Sequence, residues 1–331
     1  MTVQLNLKLY KGNGVPIGER GETLPEYTPL TGADDPECYV AEPGLRHAVN
    51  VALALGQPLL VTGEPGTGKT QLASSIAHEL GLPRPLKFFT KTTSTATDLF
   101  YQYDALRRFQ DIQTKNAWPA EDYITYQALG LAVLLAMDPA EARYHLPQDL
   151  RNFGPTRSVV LIDEIDKAPR DLPNDILNEI ETMAFEVRET KAAFSAESRF
   201  RPILVLTSNS EKNLPDAFLR RCVFYHIAFP EDDQLTAILK RRFGDRPGYD
   251  KEFIDAAVAH FREIRELDLK KPPATAELLA WLEVLRSLKI DNPDKPGPGG
   301  EEMMALSYSV LAKTQDDLAR LRDRALGGGN G

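Results

Sequence analysis

The chain has 331 residues, 42% hydrophobic and 26% charged, a balance typical of a soluble globular protein long enough for two domains. A formal net charge of −9 argues against a broad nucleic-acid surface, although one local basic channel stays compatible with it. Two distant cysteines and five scattered histidines argue against a disulfide framework or a zinc site and fit a reducing compartment. The chain starts without a signal-peptide apolar region, and its most apolar stretch, 128–137, is too short to cross a bilayer. We therefore expect a cytoplasmic protein without a membrane partner.

The first part of the chain predicts a loop-rich segment followed by a helix, a strand and a second helix. Residues 1–42 contain many glycine and proline breakers. A helix is predicted over 43–56, with proline near its start, glycine at its end and an apolar face that includes Leu55. The all-apolar run that ends at Gly63 predicts a buried parallel strand, and a helix from about residue 69 to 80 follows it.

Four further apolar runs predict the remaining strands, at 86–89, 158–162, 202–207 and 222–229. Strands that alternate with helices indicate an α/β domain with a mainly parallel sheet.

The long interval 91–157 separates two of these strands and contains an aromatic cluster, Phe100, Tyr101 and Tyr103. It also contains an apolar helix near 123–137. Two interpretations of the rings remain open. They either form a surface for a partner protein or a pore, or they pack against that helix.

After residue 230 the pattern changes to amphipathic helices, the last of them running through 301–326. The predicted organisation is a loop-rich segment at 1–42, an α/β domain at 43–230, a small all-α domain at 231–325 and a flexible tail at 326–331.

The motif "GEPGTGKT" matches G-x-x-x-x-G-K-[ST] and lies between a predicted strand and a predicted helix. Glycines let backbone N–H groups approach phosphate oxygens, and the helix N-terminus adds unpaired donors. We expect Lys69 to neutralise the β- and γ-phosphates of ATP and Thr70 to bind Mg²⁺. The candidate nucleotide-binding residues are Gly63, Glu64, Pro65, Gly66, Thr67, Gly68, Lys69, Thr70 and Gln71.

The motif "SVVLIDEIDKAP" brings a buried strand to an end at Asp163 and Glu164. Ligands of α/β sheets lie at this edge, where Asp163 is suited to Mg²⁺ and Glu164 to activating a water. An acidic cap for the next helix is the alternative interpretation, and Asp166 is compatible with that role.

A third strand ends before Asn209, whose amide could hold the attacking water or contact the γ-phosphate, although asparagine is also a common turn residue. Arg220 and Arg221 precede the last strand. A guanidinium there could stabilise charge on the transferring phosphoryl group, and we favour Arg221 over Arg220. A solvated arginine pair is the alternative.

In this order, the motifs resemble those of the AAA+ ATPases, and among them the MoxR-like, dynein-related group, over roughly residues 38–325. The motifs that carry the resemblance are "GEPGTGKT", "LIDEIDKAP", Asn209 and "LPDAFLRR". The resemblance implies a P-loop AAA+ core with a helical lid, a hexameric ring with ATP between subunits, and remodelling of a protein client, often one with a von Willebrand A domain. The resemblance implies that Lys69 and Thr70 bind the nucleotide and Mg²⁺, that Asp163 binds Mg²⁺ and that Glu164 activates the water. It also implies that Asn209 is sensor 1 and that Arg221 is the arginine finger that acts on a neighbouring subunit.

The chain departs from this group at the start of the third lid helix. The group commonly has a sensor-2 arginine there, whereas this sequence has Glu277. Either Lys270 or Lys271 substitutes for it, or the role is missing.

Three functions remain: a ring ATPase that remodels a protein, a nucleic-acid motor or loader, and a nucleotide-gated binding switch without turnover. A binding-only protein would not need Glu164 or the arginine, so energy-coupled hydrolysis is favoured. The acidic balance disfavours a nucleic-acid partner.

Overall fold

The computed structural model describes residues 10, 35–152, 154–210, 214–244 and 246–327. Most of the predicted loop-rich segment 1–42 and the end of the predicted tail 326–331 lie outside these residues. The chain divides into two compact units. One is formed by 1–40, 65–68 and 229–331, and the other, the α/β unit, is formed by 41–64 and 69–228.

The strands found among the described residues lie in the α/β unit. They are β1 (Leu59–Gly63), β2 (Leu86–Phe89), β3 (Tyr101–Tyr103), β4 (Ile124–Tyr126), β5 (Val159–Asp163), β6 (Ala184–Val187), β7 (Ala192–Ser195), β8 (Ile203–Ser208) and β9 (Val223–Ile227). Within the described residues, five of them form a parallel sheet in the order β2, β5, β8, β1, β9.

The central sheet confirms the five strands that the apolar runs predicted, with bounds shifted by at most two residues. All residues of β1 and β5 are buried, as expected where helices cover both faces of a parallel sheet. Because the strands are parallel, their carboxyl ends lie together at one edge.

The helices of this unit include the two that flank the first strand. They are α1 (Pro43–Leu55), α2 (Lys69–Glu79), α3 (Ala105–Gln113), α4 (Ala128–Leu135), α5 (Pro139–Ala142), α6 (Leu172–Asp175), α7 (Leu177–Thr182) and α8 (Asp216–Leu219). Helix α1 ends as predicted, at Gly56 in the left-handed conformation with φ of 63°. The placement of Leu55 on the buried face was wrong, since its side chain is 62% exposed. It occupies the last helical position, at the border of the apolar stripe.

The interval 91–157 folds into an antiparallel pair, β3 with β4, followed by the buried helix α4. Phe100 and Tyr101 are 4% and 3% exposed, and their rings stack on Phe185 with centroid separations of 5.0 and 6.4 Å. The Tyr101 hydroxyl accepts the backbone N–H of Arg188 at 3.0 Å. Packing in the core is therefore confirmed for these two rings. Their partner is the β6–β7 hairpin, which the sequence analysis did not predict.

The other unit is helical after residue 229. Its helices are α9 (Asp232–Phe243), α10 (Lys251–Glu266), α11 (Thr275–Ser287), α12 (Gly300–Ser307) and α13 (Gln315–Gly327). The prediction of one helix through 301–326 was wrong, because α12 stops at Ser307. The Ser307 hydroxyl donates to the carbonyl of Met304 and accepts the Trp281 indole N–H. A new helix then starts where Thr314 Oγ1 accepts the N–H of Asp317 at 3.1 Å.

A polar bridge crosses the core of the helical unit. The buried His260 ring contacts Asp294 Oδ1 through Nδ1 at 2.5 Å and the Tyr308 hydroxyl through Nε2 at 2.8 Å. Its ring also stacks on Trp281. Both ring nitrogens thus have protein partners, which fits a structural role. Among the described residues, no helix combines the length and the apolarity that crossing a membrane requires.

Candidate functional site

The predicted phosphate loop starts at the last residue of β1 and leads directly into α2. Lys69, the first residue of α2, is 8% exposed. Its ammonium donates to the carbonyl oxygens of Gly63 at 2.8 Å and Glu64 at 2.9 Å. Burial lowers the pKa of Lys69, although nearby carboxylates, Asp163 foremost, oppose that shift. The amine is therefore held at the loop, at the amino end of a helix.

Two glycines of the loop adopt backbone conformations that other residues enter only with strain. Gly66 has φ of 79° and Gly68 has φ of 87°. Such turns direct successive N–H groups inward, and the first turn of α2 adds N–H groups without intrahelical acceptors. This backbone suits an anion such as a phosphate chain.

Thr70 and Asp163 meet at the carboxyl edge of the sheet. The Thr70 hydroxyl donates to Asp163 Oδ1 at 3.0 Å. Asp163 ends β5 and is 9% exposed. A hydroxyl and a carboxylate side by side are hard oxygen donors, which Mg²⁺ prefers. The residues present thus fit the metal that the sequence predicted.

Glu164 leaves the strand in the left-handed conformation, with φ of 56° and ψ of 50°. For a residue with a Cβ atom this conformation costs about 1–2 kcal/mol. Its N–H donates to Thr207 Oγ1 at 2.9 Å, and its carboxylate pairs with Lys167. The hydrogen bond to Glu164 raises the pKa of Lys167. The Glu164 side chain is 40% exposed, so its carboxylate remains open to solvent.

Thr207 is the site residue that sequence reasoning missed. It lies on β8, is 1% exposed and donates to Asp163 Oδ1 at 2.5 Å. A threonine near the end of a strand carries no signal alone. The parallel register of β5 with β8, which pairs Ile162 with Leu206, puts Thr207 level with Asp163.

Asn209 follows β8 directly, so it lies at the same edge as the carboxylates. Its side chain is exposed, and its N–H donates to Asp166 Oδ1 at 3.3 Å. The Asp166 carboxylate thus links the turn after β5 to the turn after β8.

Arg220 and Arg221 lie at the opposite edge of the sheet, between α8 and the start of β9. The Arg221 guanidinium is half exposed, donates to the carbonyl of Ala217 at 3.1 Å and lies 3.7 Å from the carboxylate of Glu181. In the register of β9 with β1, Val223 pairs with Leu59 and Ile227 with Gly63. The structure therefore separates the two arginines from Gly63, the residue at which the phosphate loop begins.

Glu277, the departure from the expected lid pattern, caps its own helix. Its carboxylate accepts the N–H of Ala274 at 3.0 Å and lies 3.3 Å from the ammonium of Lys313. Lys270 is paired with Asp316 at 2.5 Å. Both side chains thus have partners within the helical unit.

Comparison with known proteins identifies part of the chain. Residues 58–222 match the family model of the AAA domain, dynein-related subfamily. No curated protein matches the sequence. Among solved structures, a RuvB variant of Thermotoga maritima is similar with 15% identity and a TM-score of 0.42, over 81% of this chain and 67% of that one. The family match and the sheet order confirm the predicted α/β P-loop fold.

Proposed function

We propose that the AAA domain at residues 58–222 hydrolyses ATP with Mg²⁺, and that the chain does so in an oligomeric ring that remodels or activates a partner protein. The observation that carries the proposal is the convergence of three groups at one edge of the sheet. These are the Lys69 loop, the Thr70–Asp163 pair and the Glu164 carboxylate.

In this proposal the loop residues hold the phosphate chain of ATP, and Lys69 neutralises its β- and γ-phosphates. Mg²⁺, when bound by Thr70 and through water by Asp163, supplies further neutralising charge there. Glu164 accepts a proton from a water as that water attacks the γ-phosphate. Asn209, at the same edge, is proposed to orient that water.

A ring is favoured because the proposed finger lies at the far edge of the sheet. Along β1, Leu59 lies about 13 Å from Gly63, because a strand rises roughly 3.3 Å per residue. Arg221 precedes even that level, so we propose that it serves a neighbouring subunit rather than its own chain. We propose a hexamer, as the resemblance to AAA+ ATPases implies.

The proposed client contact is the apolar face of α3. Leu106, Phe109 and Ile112 recur every third position and are 67%, 58% and 52% exposed. Trp118, just beyond the helix, is 64% exposed. These side chains take the place of the buried Phe100 and Tyr101 as candidates for binding an apolar segment of the client. A von Willebrand A domain in that client is part of the same proposal.

A phosphate-release assay tests the proposal. Glu164→Gln should retain nucleotide binding and lose turnover, because it removes only the proton acceptor. Lys69→Ala should lose binding, because it removes the cation from the phosphate loop. Glu186→Gln is the matched control on the β6–β7 hairpin, where Glu186 pairs only with Lys191 among the ion pairs of the described residues.

Each alternative has its own outcome. Turnover of Glu164→Gln within a few-fold of wild type would contradict the assigned base. Absence of turnover in the wild-type chain, despite nucleotide binding, would favour a binding switch. Stimulation by DNA would favour a nucleic-acid motor.

A further inference from the structure

One buried hydroxyl contacts both acidic residues of the proposed hydrolytic site. Thr207 Oγ1 donates to Asp163 Oδ1 at 2.5 Å and accepts the N–H of Glu164 at 2.9 Å. A hydroxyl has one hydrogen to give and lone pairs to accept with, so it can make both bonds at once. A valine at this position would fill the same space and make neither.

The bond to Asp163 fixes the rotation of its carboxylate. Oδ1 accepts from Thr207 on one side and from Thr70 at 3.0 Å on the other. Asp163 Oδ2 lies farther from Thr70, at 3.3 Å. Two donors directed at one oxygen restrict the carboxylate to one orientation.

The bond to Glu164 stabilises a strained backbone. With φ of 56°, Glu164 turns out of the strand and does not continue the ladder of β5. The acceptor for its N–H is the Thr207 oxygen. The same hydroxyl therefore supports the orientation of one carboxylate and the backbone turn that presents the other.

We propose that Thr207 is a positioning residue of this site. It orients Asp163 toward Mg²⁺ and holds the turn that directs Glu164 to the attacking water. The inference rests on the proposed ATPase function and deepens it. In this proposal Thr207 acts through its hydrogen bonds to Asp163 and Glu164.

The experiment compares Thr207→Val with Thr207→Ser in the full chain. Binding of a fluorescent ADP analogue is measured against Mg²⁺ concentration and again in excess EDTA, together with ATP turnover and thermal melting. Thr207→Val should need about 10–100-fold more Mg²⁺ for half-maximal binding and lose a similar factor in kcat. Its affinity in EDTA should stay unchanged, because the Lys69 loop is intact. Thr207→Ser keeps the hydroxyl and should stay within a few-fold of wild type in each measurement.

Thr62→Val is the matched control. Thr62 is also 1% exposed and lies on the neighbouring strand β1, and its side chain donates to or accepts from His226 Nδ1 at 3.0 Å. Loss of this hydrogen bond should lower the melting temperature without changing the Mg²⁺ dependence of ADP binding. If Thr207 only stabilises the sheet, Thr207→Val should likewise lower the melting temperature and leave the Mg²⁺ dependence of ADP binding unchanged.

A folded Thr207→Val with the Mg²⁺ dependence of wild type would overturn the proposal. Equal losses in the valine and serine variants would also overturn it. If the valine variant shows no cooperative melt, Thr207→Ala is tested with the same measurements and the same expected result. If the wild-type chain releases no phosphate, the proposed function fails, whereas the Mg²⁺ dependence of ADP binding still decides the role of Thr207.

Discussion

Replacing Arg221 with alanine tests whether this residue is the arginine finger of the proposed ATPase site. The structure puts Arg221 before β9, at the edge opposite Gly63, and exposes half of its side chain. Its contacts with Ala217 and Glu181 are with exposed partners, so we expect only a small loss of stability. Nucleotide binding by the chain itself should also persist.

The expected loss of rate is large. An arginine finger contributes about 10³–10⁵ in kcat, or roughly 4–7 kcal/mol of transition-state stabilisation. Arg221→Ala should lose that factor, whereas Arg220→Ala, its neighbour and control, should stay close to wild type. Specific activity of the wild-type chain should rise with protein concentration, because the proposed site is complete only between two subunits.

The assay that isolates the trans role mixes two inactive variants, Arg221→Ala and Glu164→Gln. A complete site forms where an Arg221→Ala subunit, which keeps the base Glu164, lies next to a Glu164→Gln subunit, which keeps the finger Arg221. At equal amounts, this holds for about one quarter of the sites in randomly mixed head-to-tail rings. Phosphate release should therefore recover to about one quarter of the wild-type rate. A finger acting within its own chain gives no recovery, because neither variant then has a complete site. If subunit exchange is demonstrated and phosphate release does not recover, Arg221 does not act on a neighbouring subunit. Full activity of Arg221→Ala, with recovery on mixing Arg220→Ala and Glu164→Gln, would move the finger to Arg220.

Burial lowers the pKa of Lys69, so its charge is lost at a lower pH than that of an ordinary lysine. ADP affinity should therefore fall as the pH rises through that lowered pKa, and an affinity that stays constant up to the pKa of an ordinary lysine would contradict this. Tyr101→Ala should lower the free energy of unfolding in urea by about 3–5 kcal/mol, and Tyr101→Phe by about 1 kcal/mol, since the ring is buried and its hydroxyl accepts one N–H. A wild-type urea midpoint for Tyr101→Ala would show that the ring is not part of the core. Phe109→Ser should leave melting and basal phosphate release unchanged while weakening capture of a client by the Glu164→Gln variant. A lower melting temperature would instead show that α3 packs against another part of the chain or a second copy.

The sequence predicted the central sheet well because its strands are continuous apolar runs between helices. The positions of the loop before Lys69 and of the carboxylates at the end of β5 were predictable for a related reason. In parallel sheets the functional groups follow the strand ends, and those ends are visible as a change from apolar to polar residues.

The rest depended on pairings that no single segment displays. Strands β6 and β7 have four residues each and are joined by a tight turn, too short for a clear period. The burial of Phe100 follows from its contact with Phe185 on that hairpin. Thr207 likewise gains its place in the site only from the register between β5 and β8. The break before α13 came from a local cap at Thr314 inside a periodic pattern.

At Glu164, whose backbone is left-handed, the residue that best stabilises the fold differs from the residue that the proposed chemistry needs. Glycine adopts this conformation without a Cβ clash, and asparagine tolerates it better than glutamate does. The replacements that would relieve the strain are thus ones that remove the carboxylate. A selection for thermostability alone should drift toward glycine or asparagine at this position and yield a more stable protein that has lost the proposed proton acceptor.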